Sequence, residues 1–398
     1  MTEPIGVAVV GYGYWGPNLA RNVSERPELR LVGLCESDPR RRAEFLRRHP
    51  SARVDEELDA LVADPQVEAV LVATPPHTHF AVARTCLEAD KHVLVEKPLA
   101  RSAAEAATLI SLAEERERVL MPGHTFVYSP AVNKVRELIR ADELGEVYFV
   151  TSSRMNLGKY QRDGVVCDLA PHDLSILAHW LGEPLTHVAA TGRSVFQKDV
   201  PETAFLTLTF AGGAKANVQL SWLAPRKVRQ MVVVGSRRMV QYDDTAADES
   251  LRVYDRGLDF EEPPPSFGEY RLTYRSGDMV APRVEAAEPL GLELQDFAAA
   301  IRDGSEPRSN AALGLQIVLA LEALQVSLDN RGEPIRVPSA DQLLDARSLG
   351  HELNGNGTQR RRERRCGERR VANLGPPDGI ERRKADRRMR DRRGVAVG

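Results

Sequence analysis

The sequence predicts an α/β fold in which a doubly wound parallel sheet precedes a second α/β region with an open, mainly antiparallel sheet. Three observations support this prediction. Short apolar runs alternate with helical segments up to about His124, as in βαβ units. A glycine-rich turn joins the first apolar run to the first helix. From Leu185 onward, short strand-like runs are separated by breaks that contain glycine, which is typical of antiparallel strands.

The first apolar run, Ile5 to Val10, predicts a strand covered on both faces of a parallel sheet. The sequence Gly11-Tyr12-Gly13-Tyr14-Trp15-Gly16 follows at once and leads into a helix with Pro17 in its first turn. Glycines at this G-x-G-x-x-G spacing permit a tight turn, close approach of a pyrophosphate and close helix packing. The helix N-terminus offers N–H groups to the phosphates. The stretch therefore predicts a dinucleotide-binding turn.

The next predicted strand, Leu29 to Cys35, ends at Glu36, twenty positions after Gly16. An acidic residue at this distance is the one that binds the ribose hydroxyls in dinucleotide-binding folds. A carboxylate there repels a 2′-phosphate, so NAD is the predicted cofactor and NADP is disfavoured, although Arg40 and Arg41 lie nearby. The alternative is a simple glycine turn with Glu36 as a surface charge.

Two further apolar runs end in polar motifs. Val67–Ala73 leads into Thr74-Pro75-Pro76-His77-Thr78-His79, and Val93–Val95 leads into Glu96-Lys97-Pro98. Because ligands bind beyond the carboxyl ends of parallel strands, Lys97 is expected where cofactor and substrate meet. Taken alone, the tripeptide favours the alternative, an exposed Lys97 that pairs with Glu96 and closes a loop; the motifs around it favour the binding site. His77 and His79 have no nearby Cys or acidic partner, so loop and helix-start histidines are favoured and no metal site is predicted.

These three motifs, in this order and spacing, resemble the Gfo/Idh/MocA family of oxidoreductases, and the resemblance extends over roughly Ile5 to Asn354. It implies a Rossmann NAD(P)-binding domain over residues 1–125 and a substrate and oligomerisation domain over residues 126–353. It also implies a dimer or tetramer, with Lys97 beside the nicotinamide and a Lys97–Pro98 bond that is commonly cis. The predicted cofactor-binding residues are Gly11, Gly13, Tyr14, Trp15, Gly16, Glu36, Thr74, Pro75, His79 and Glu96.

A second motif, Asp168-Leu169-Ala170-Pro171-His172, resembles the family signature D-x-G-x-H, with Ala170 in place of glycine. Asp168 and His172 share one helical face if the helix begins at or before Asp168. The resemblance places His172 opposite the nicotinamide together with Lys97, so Lys97, His172 and Asp168 are the predicted catalytic residues. The alternative is that Asp168 caps the helix, although Pro171 removes one N–H that such a cap would bond.

Oxidation of a secondary alcohol requires a base for the hydroxyl proton while hydride leaves for the cofactor. The ordinary pKa of His172 suits the base, and the Lys97 ammonium can stabilise the alkoxide or relay the proton. The sequence leaves open which of the two is the base.

The stretches from Gly11 to Asn18 and from Arg154 to Asp173 are most similar to relatives in nucleotide-sugar metabolism, some of which oxidise C3 of a UDP-N-acetylated hexuronate. The resemblance therefore implies a sugar substrate, with Arg154 as a ligand for a carboxylate or phosphate. Candidates for hydroxyl contacts are Tyr128, Asn156 and Gln161. Ordinary strand-end and loop polarity is the alternative for all of these side chains.

Two other functions stay open. One is a dehydrogenase for a free polyol such as inositol, or a ketosugar reductase. The other is an NAD-binding regulator without activity, which the presence of Lys97, Asp168 and His172 disfavours.

Charge is distributed unevenly along the chain. Residues 354–398 contain 15 Lys and Arg but 6 Asp and Glu, whereas the remainder contains 39 and 51. So few apolar residues predict a disordered basic tail. A solvated tail is favoured over one that contacts nucleic acid or another anionic partner, because no aromatic residues alternate with the arginines. Scattered cysteines, no apolar leader and no membrane-length apolar run predict a cytoplasmic protein.

Overall fold

The computed structural model describes residues 3–158, 163–260, 272–340 and 343. Gln161, a predicted substrate ligand, and the predicted disordered tail, 354–398, lie outside the described residues. The described part of the chain contains two β-sheets, one parallel and one mainly antiparallel, each covered by helices.

The first sheet is parallel, with the strand order β3-β2-β1-β4-β5-β6. Its strands are β1 Ile5–Val10, β2 Leu29–Cys35, β3 Arg53–Asp55, β4 Ala69–Val72, β5 His92–Glu96 and β6 Leu120–Gly123. Every residue of β1 is buried, as expected for a strand covered on both faces. The strand order reverses between β1 and β4, which opens a ligand crevice beyond their carboxyl ends.

Helices connect these strands and continue through the second half of the chain. They are α1 Gly16–Glu25, α2 Pro39–Arg48, α3 Leu58–Val62, α4 His79–Glu88, α5 Ala103–Glu115, α6 Pro130–Arg140, α7 Gly164–Leu181, α8 Pro289–Asp303 and α9 Ala311–Asp329. Short 3₁₀ turns at Pro76–Thr78 and Thr125–Tyr128 follow β4 and β6.

The second sheet has the order β14-β13-β12-β11-β7-β10-β9-β8-β15. Its strands are β7 Val147–Met155, β8 Leu185–Arg193, β9 Thr203–Phe210, β10 Lys215–Ser221, β11 Val228–Gly235, β12 Met239–Asp243, β13 Leu251–Phe260, β14 Leu272–Val280 and β15 Ile335–Arg336. Neighbouring strands are antiparallel except for β7 and β10, which are parallel. The predicted fold class is confirmed.

Helix α7 begins earlier than the capping alternative requires. Its first residue is Gly164, so Asp168 lies inside the helix and the interpretation of Asp168 as an N-cap is wrong. Asp168 and His172 are therefore separated by about one helical turn on the same face. Pro171 also lies within α7.

Helix α9 is long and apolar enough to cross a membrane by length and composition alone. In the structure it packs against α5, α7 and β8, and ten of its residues are buried, among them Leu315, Val318 and Leu324. Its apolar character is accounted for by this position in the protein core.

Candidate active site

The glycine turn between β1 and α1 has the geometry that a dinucleotide requires. Gly11 has a φ of +92°, and a Cβ placed there would lie 2.9 Å from the carbonyl oxygen of Ala73. A Cβ on Gly16 would lie 2.3 Å from the carbonyl oxygen of Gly11. Helix α1 begins at Gly16 with no side-chain cap and no acidic residue in its first turn. Pro17 has no N–H, and the Asn18 N–H is bonded to the Trp15 carbonyl oxygen, so what fits a pyrophosphate is the close approach that the glycines allow.

Glu36 lies just beyond the end of β2 and is only 6% exposed. One carboxylate oxygen accepts a hydrogen bond from the Tyr12 N–H at 2.7 Å, and the other accepts one from the Asp38 N–H at 2.9 Å. Burial alone would raise the pKa of Glu36, but these N–H groups and the guanidinium of Arg41 outweigh it and lower the pKa. The carboxylate is therefore ionised at the edge of the crevice.

The side chain of His79 contacts the backbone of both loops that follow β4 and β5. His79 is 1% exposed, and its Nδ1 and Nε2 each lie 2.8 Å from a backbone carbonyl oxygen, of Pro98 and Thr74 respectively. The Thr78 hydroxyl lies 2.7 Å from the Thr74 hydroxyl and 2.8 Å from the Pro75 carbonyl oxygen, so it bridges the two residues. The ring of His79 thus holds the loop backbones, while Tyr14, 84% exposed and stacked on Trp15, lies on the surface of the glycine turn.

Lys97, at the end of the first sheet, contacts helix α7. Its Nζ donates a hydrogen bond to the Asp168 carbonyl oxygen at 2.8 Å and lies 3.4 Å from Asp168 Oδ1. The other carboxylate oxygen of Asp168 accepts a hydrogen bond from Trp222 Nε1 at 3.1 Å. Asp168 is therefore positioned to orient Lys97. The Lys97–Pro98 peptide bond is cis, as the family resemblance implies.

His172 lies one turn further along α7, where the nearby charged side chains are positive. Its ring meets the edge of Phe126, with the ring centroids 5.1 Å apart. Burial lowers the pKa of His172 well below its ordinary value, and the charges of Lys97, Arg154 and Arg229 lower it further. The imidazole is therefore neutral near pH 7 and can accept a proton. Lys97 is thus close enough to act electrostatically on the ring of His172.

Arg154 is buried at the inner face of β7. Its Nε donates a hydrogen bond to Asp173 Oδ2 at 2.7 Å, and the Ser152 hydroxyl donates to Asp173 Oδ1 at 2.7 Å. This network attaches α7 to β7 next to His172. Nη1 of Arg154 is buried and has no hydrogen-bond partner in the described protein. The guanidinium lies over Phe126, with Cζ 4.6 Å from the ring centroid.

The structure places the predicted hydroxyl ligands in different surroundings. Tyr128 is fully buried; its hydroxyl donates to Asp296 Oδ2 at 2.8 Å and accepts from the Ser309 N–H at 3.1 Å. Its position in the core argues against the predicted contact with a substrate. Asn156 follows β7 directly and has a buried Oδ1 without a hydrogen-bond partner among the described residues, so an acceptor is left for a ligand there.

A group of buried titratable side chains lies beside Lys97. Glu96 Oε1, Glu293 Oε1 and both ring nitrogens of His124 have no hydrogen-bond partner in the described chain. Burial raises the pKa of Glu96 to about 8, with Lys97 opposing this effect. Burial also lowers the pKa of His124 to about 3. Near neutrality His124 is therefore uncharged and Glu96 is mostly protonated.

Sequence reasoning missed four residues that the fold brings to the site: His124, Phe126, Trp222 and Arg229. His124 directly follows β6, and polar residues beyond strand ends are the same signal that identified Lys97. Phe126, Trp222 and Arg229 lie on separate elements and carry no motif. Among the described residues, no group of His, Cys, Asp and Glu side chains is arranged to hold a metal ion.

Comparison with known families and proteins agrees with this architecture. Residues 5–124 match the oxidoreductase family with an NAD-binding Rossmann fold, and residues 132–241 match the GFO/IDH/MocA C-terminal domain. UDP-N-acetylglucosamine 3-dehydrogenase of Acidithiobacillus ferrooxidans is 29% identical over 325 residues, which cover 79% of this chain and 96% of that protein. Its solved structure superimposes with a TM-score of 0.70 at 25% identity, covering 82% of this chain and 98% of the other.

Two further relatives differ in the cofactor that their names state. The crystal structure of GenD2 from gentamicin A biosynthesis, in complex with NAD, has a TM-score of 0.72 at 28% identity and covers 85% of this chain and 98% of its own. The scyllo-inositol 2-dehydrogenase (NADP(+)) IolW of Bacillus subtilis is 25% identical over 345 residues, which cover 82% of this chain and 94% of that protein. On both domain matches, the chain belongs to the GFO/IDH/MocA family of oxidoreductases with an NAD-binding Rossmann fold.

Proposed function

We propose that the protein oxidises a secondary alcohol of a nucleotide sugar, with NAD as the hydride acceptor. The observation that carries the proposal is the contact between Lys97, at the end of the first sheet, and Asp168, one turn before His172 on α7. It supports a site in which the Lys97 amine and the His172 imidazole act on the same substrate oxygen beyond the carboxyl end of β5. Similarity to a UDP-N-acetylglucosamine 3-dehydrogenase supports a nucleotide sugar and, within it, the C3 hydroxyl.

The neutral imidazole of His172 is the better base. In the proposed step it takes the hydroxyl proton, while Lys97 donates a hydrogen bond to the oxygen on which negative charge develops. Asp168 holds Lys97 through its backbone carbonyl and its carboxylate. A nicotinamide bound beyond the glycine turn would accept the hydride. The site residues proposed for the cofactor are those of the glycine turn and the strand-end loops, with Glu36 on the ribose.

NAD is favoured over NADP because the Glu36 carboxylate is ionised and held rigidly at the end of β2. A 2′-phosphate would bring a second negative charge next to it. The acidic side chain also offers an acceptor for a ribose hydroxyl.

The substrate proposal is tested by measuring NADH formation with UDP-sugars, free hexoses and inositols. We expect turnover with a UDP-sugar and none with the same sugar lacking the nucleotide. Turnover confined to an inositol would replace the proposal with a polyol dehydrogenase. Lys97→Met should retain NAD binding and lose turnover, with Lys134→Met, on the exposed part of α6, as the matched control. Full activity of Lys97→Met would remove Lys97 from the chemistry.

We also propose that the outer face of the second sheet contacts another copy of the chain. The strand registers align one row of apolar side chains across five neighbouring strands: Phe149, Val234, Met239, Tyr254 and Met279. Phe149 and Met279 are 44% and 49% exposed. A continuous apolar row of this kind favours association. Met239→Lys should shift the mass measured by light scattering to the monomer; an unchanged mass would exclude this face.

Free thiols suit a cytoplasmic location, which we include in the proposal. Cys35 and Cys86 are buried without a disulfide. Unpaired cysteines are typical of a reducing compartment.

A further inference from the structure

The inner face of the second sheet places two guanidinium groups beside the catalytic imidazole. Arg154 on β7 and Arg229 on β11 are register partners across antiparallel strands. Like charges directly opposite each other destabilise a strand pair. Because the pair lies in the active site, its cost suggests a role in binding.

Both guanidinium groups lie over one aromatic ring. Cζ of Arg154 is 4.6 Å and Cζ of Arg229 is 5.5 Å from the centroid of Phe126. The same ring meets His172 at 5.1 Å. Both guanidinium groups and the imidazole that is proposed to take the hydroxyl proton therefore contact the same aromatic ring.

Each arginine has more N–H donors than its hydrogen bond to an aspartate uses. Arg154 uses Nε for Asp173, and its buried Nη1 has no partner in the described protein. Arg229 uses Nη1 for Asp244, at 2.7 Å, and its side chain is 32% exposed. A guanidinium carries five N–H donors in a planar fork that matches carboxylate and phosphate oxygens. The partly exposed Arg229 is thus the group that a ligand can reach, with Arg154 buried next to it.

We infer that Arg229, together with the buried Arg154, binds an anionic group of the substrate, which is either a carboxylate on the sugar or the diphosphate of the nucleotide. The inference rests on the proposed function, since it specifies the charge of that substrate. It makes Arg229 a specificity-determining residue. A neutral polyol has no anionic group to offset the two positive charges of this pair.

The test compares the wild type with Arg229→Gln and Arg229→Lys on three substrates: UDP-N-acetylglucosamine, its C6-carboxylate analogue, and the free hexuronate without the nucleotide. Steady-state kinetics are measured at a pH where kcat is constant for each variant, because Arg229 also acts on the pKa of His172. Arg238→Gln is the control, since Arg238 forms a surface ion pair with Glu143 at 2.8 Å. NAD affinity and thermal unfolding establish that each variant is folded.

We expect Arg229→Gln to raise KM, and to lower kcat/KM by about 10-fold to 100-fold, as for loss of a hydrogen bond to a charged group. Arg229→Lys should recover part of the loss, and Arg238→Gln should change nothing. A loss confined to the carboxylated sugars identifies the carboxylate; an equal loss on both UDP-sugars identifies the diphosphate. Unchanged KM on every substrate that the wild type oxidises overturns the inference.

The proposed function can fail separately. If the wild type oxidises the free hexuronate and no nucleotide sugar, and Arg229→Gln still raises KM, the nucleotide is wrong and the anion site stands. If the wild type oxidises only neutral polyols, and Arg229→Gln leaves their kinetics unchanged, both are wrong. If nucleotide sugars are oxidised equally well by the wild type and Arg229→Gln, the function stands and the anion site is wrong.

Discussion

Replacing Glu36 with Gln should weaken the discrimination between NAD and NADP. The wild-type carboxylate is ionised, is 6% exposed and accepts hydrogen bonds from two backbone N–H groups. A 2′-phosphate on the ribose would lie about 4 Å from it, and at the effective dielectric constant near a protein surface one such charge pair costs about 4 kcal/mol.

Arg41 offsets part of this cost. Its Nη1 lies 3.5 Å from Glu36 Oε2, but the side chain is 49% exposed, so its attraction for a phosphate is closer to the value in water, about 1 kcal/mol. The net preference for NAD that arises from Glu36 and Arg41 together is then about 3 kcal/mol, or on the order of 100-fold in relative affinity.

The assay measures kcat/KM with NAD and with NADP and takes the ratio of the two values. Titration of each cofactor gives its dissociation constant as a second measure of the preference. Glu36→Gln removes the whole repulsion of about 4 kcal/mol and should reduce the ratio by on the order of 1000-fold, and adding Arg41→Gln should weaken NADP again. Because Gln accepts with one oxygen, one backbone N–H loses its partner, and thermal unfolding is measured to separate this effect. A wild type that prefers NADP, or a ratio that Glu36→Gln leaves unchanged, would refute the electrostatic reasoning.

Four further outcomes follow from the buried groups. Tyr128→Phe should lower the free energy of unfolding by about 1–3 kcal/mol in urea titrations, without raising substrate KM, because the hydroxyl has only protein partners; a raised KM at unchanged stability would restore Tyr128 as a substrate ligand. Asp173→Asn leaves buried Arg154 without its counterion and should cost about 3–5 kcal/mol by the same measurement; a cost below 1 kcal/mol would show that the pair behaves as an exposed one. Because the pKa of His172 is lowered, its neutral form persists at lower pH, so the acidic limb of the kcat/KM profile should lie below pH 6.5; a limb above that value would contradict its cationic surroundings. The pKa of Glu96 is raised from 4.5 to about 8, so between these pH values the folded state keeps a proton that the unfolded state loses. The melting temperature should therefore fall as the pH rises from 4.5 to about 8. Glu96→Gln should flatten this dependence of the melting temperature on pH, and an unchanged dependence would assign it to other groups.

The first half of the fold could be predicted because its signals are local. Apolar runs, a glycine turn and polar residues at strand ends all lie within short stretches of sequence, and β1 and β2 have the predicted bounds. The short strand β3, Arg53–Asp55, was not predicted, because three residues with partial exposure carry no periodicity.

The second half depends on contacts between distant parts of the chain. Arg229 meets Arg154 only through the register of β11 and β7, which hydrophobic patterns do not specify for partly buried strands. Tyr128 is a candidate for a substrate hydroxyl only through the resemblance to relatives in nucleotide-sugar metabolism. The sequence gives no sign that its hydroxyl faces Asp296, on a helix far along the chain. Strands β13 and β14 were also not predicted, since each is interrupted by charged residues and a glycine, Gly257 and Gly277, and contains no continuous apolar run.

The imidazole shared by the loops after β4 and β5 makes those loops mechanically dependent on each other. His79 is in contact with Thr74 on one side and with Pro98, the neighbour of Lys97, on the other. A displacement of the first loop would therefore be transmitted to the segment that carries Lys97. Binding of a dinucleotide in the crevice and the position of Lys97 would thus depend on each other through the buried ring of His79.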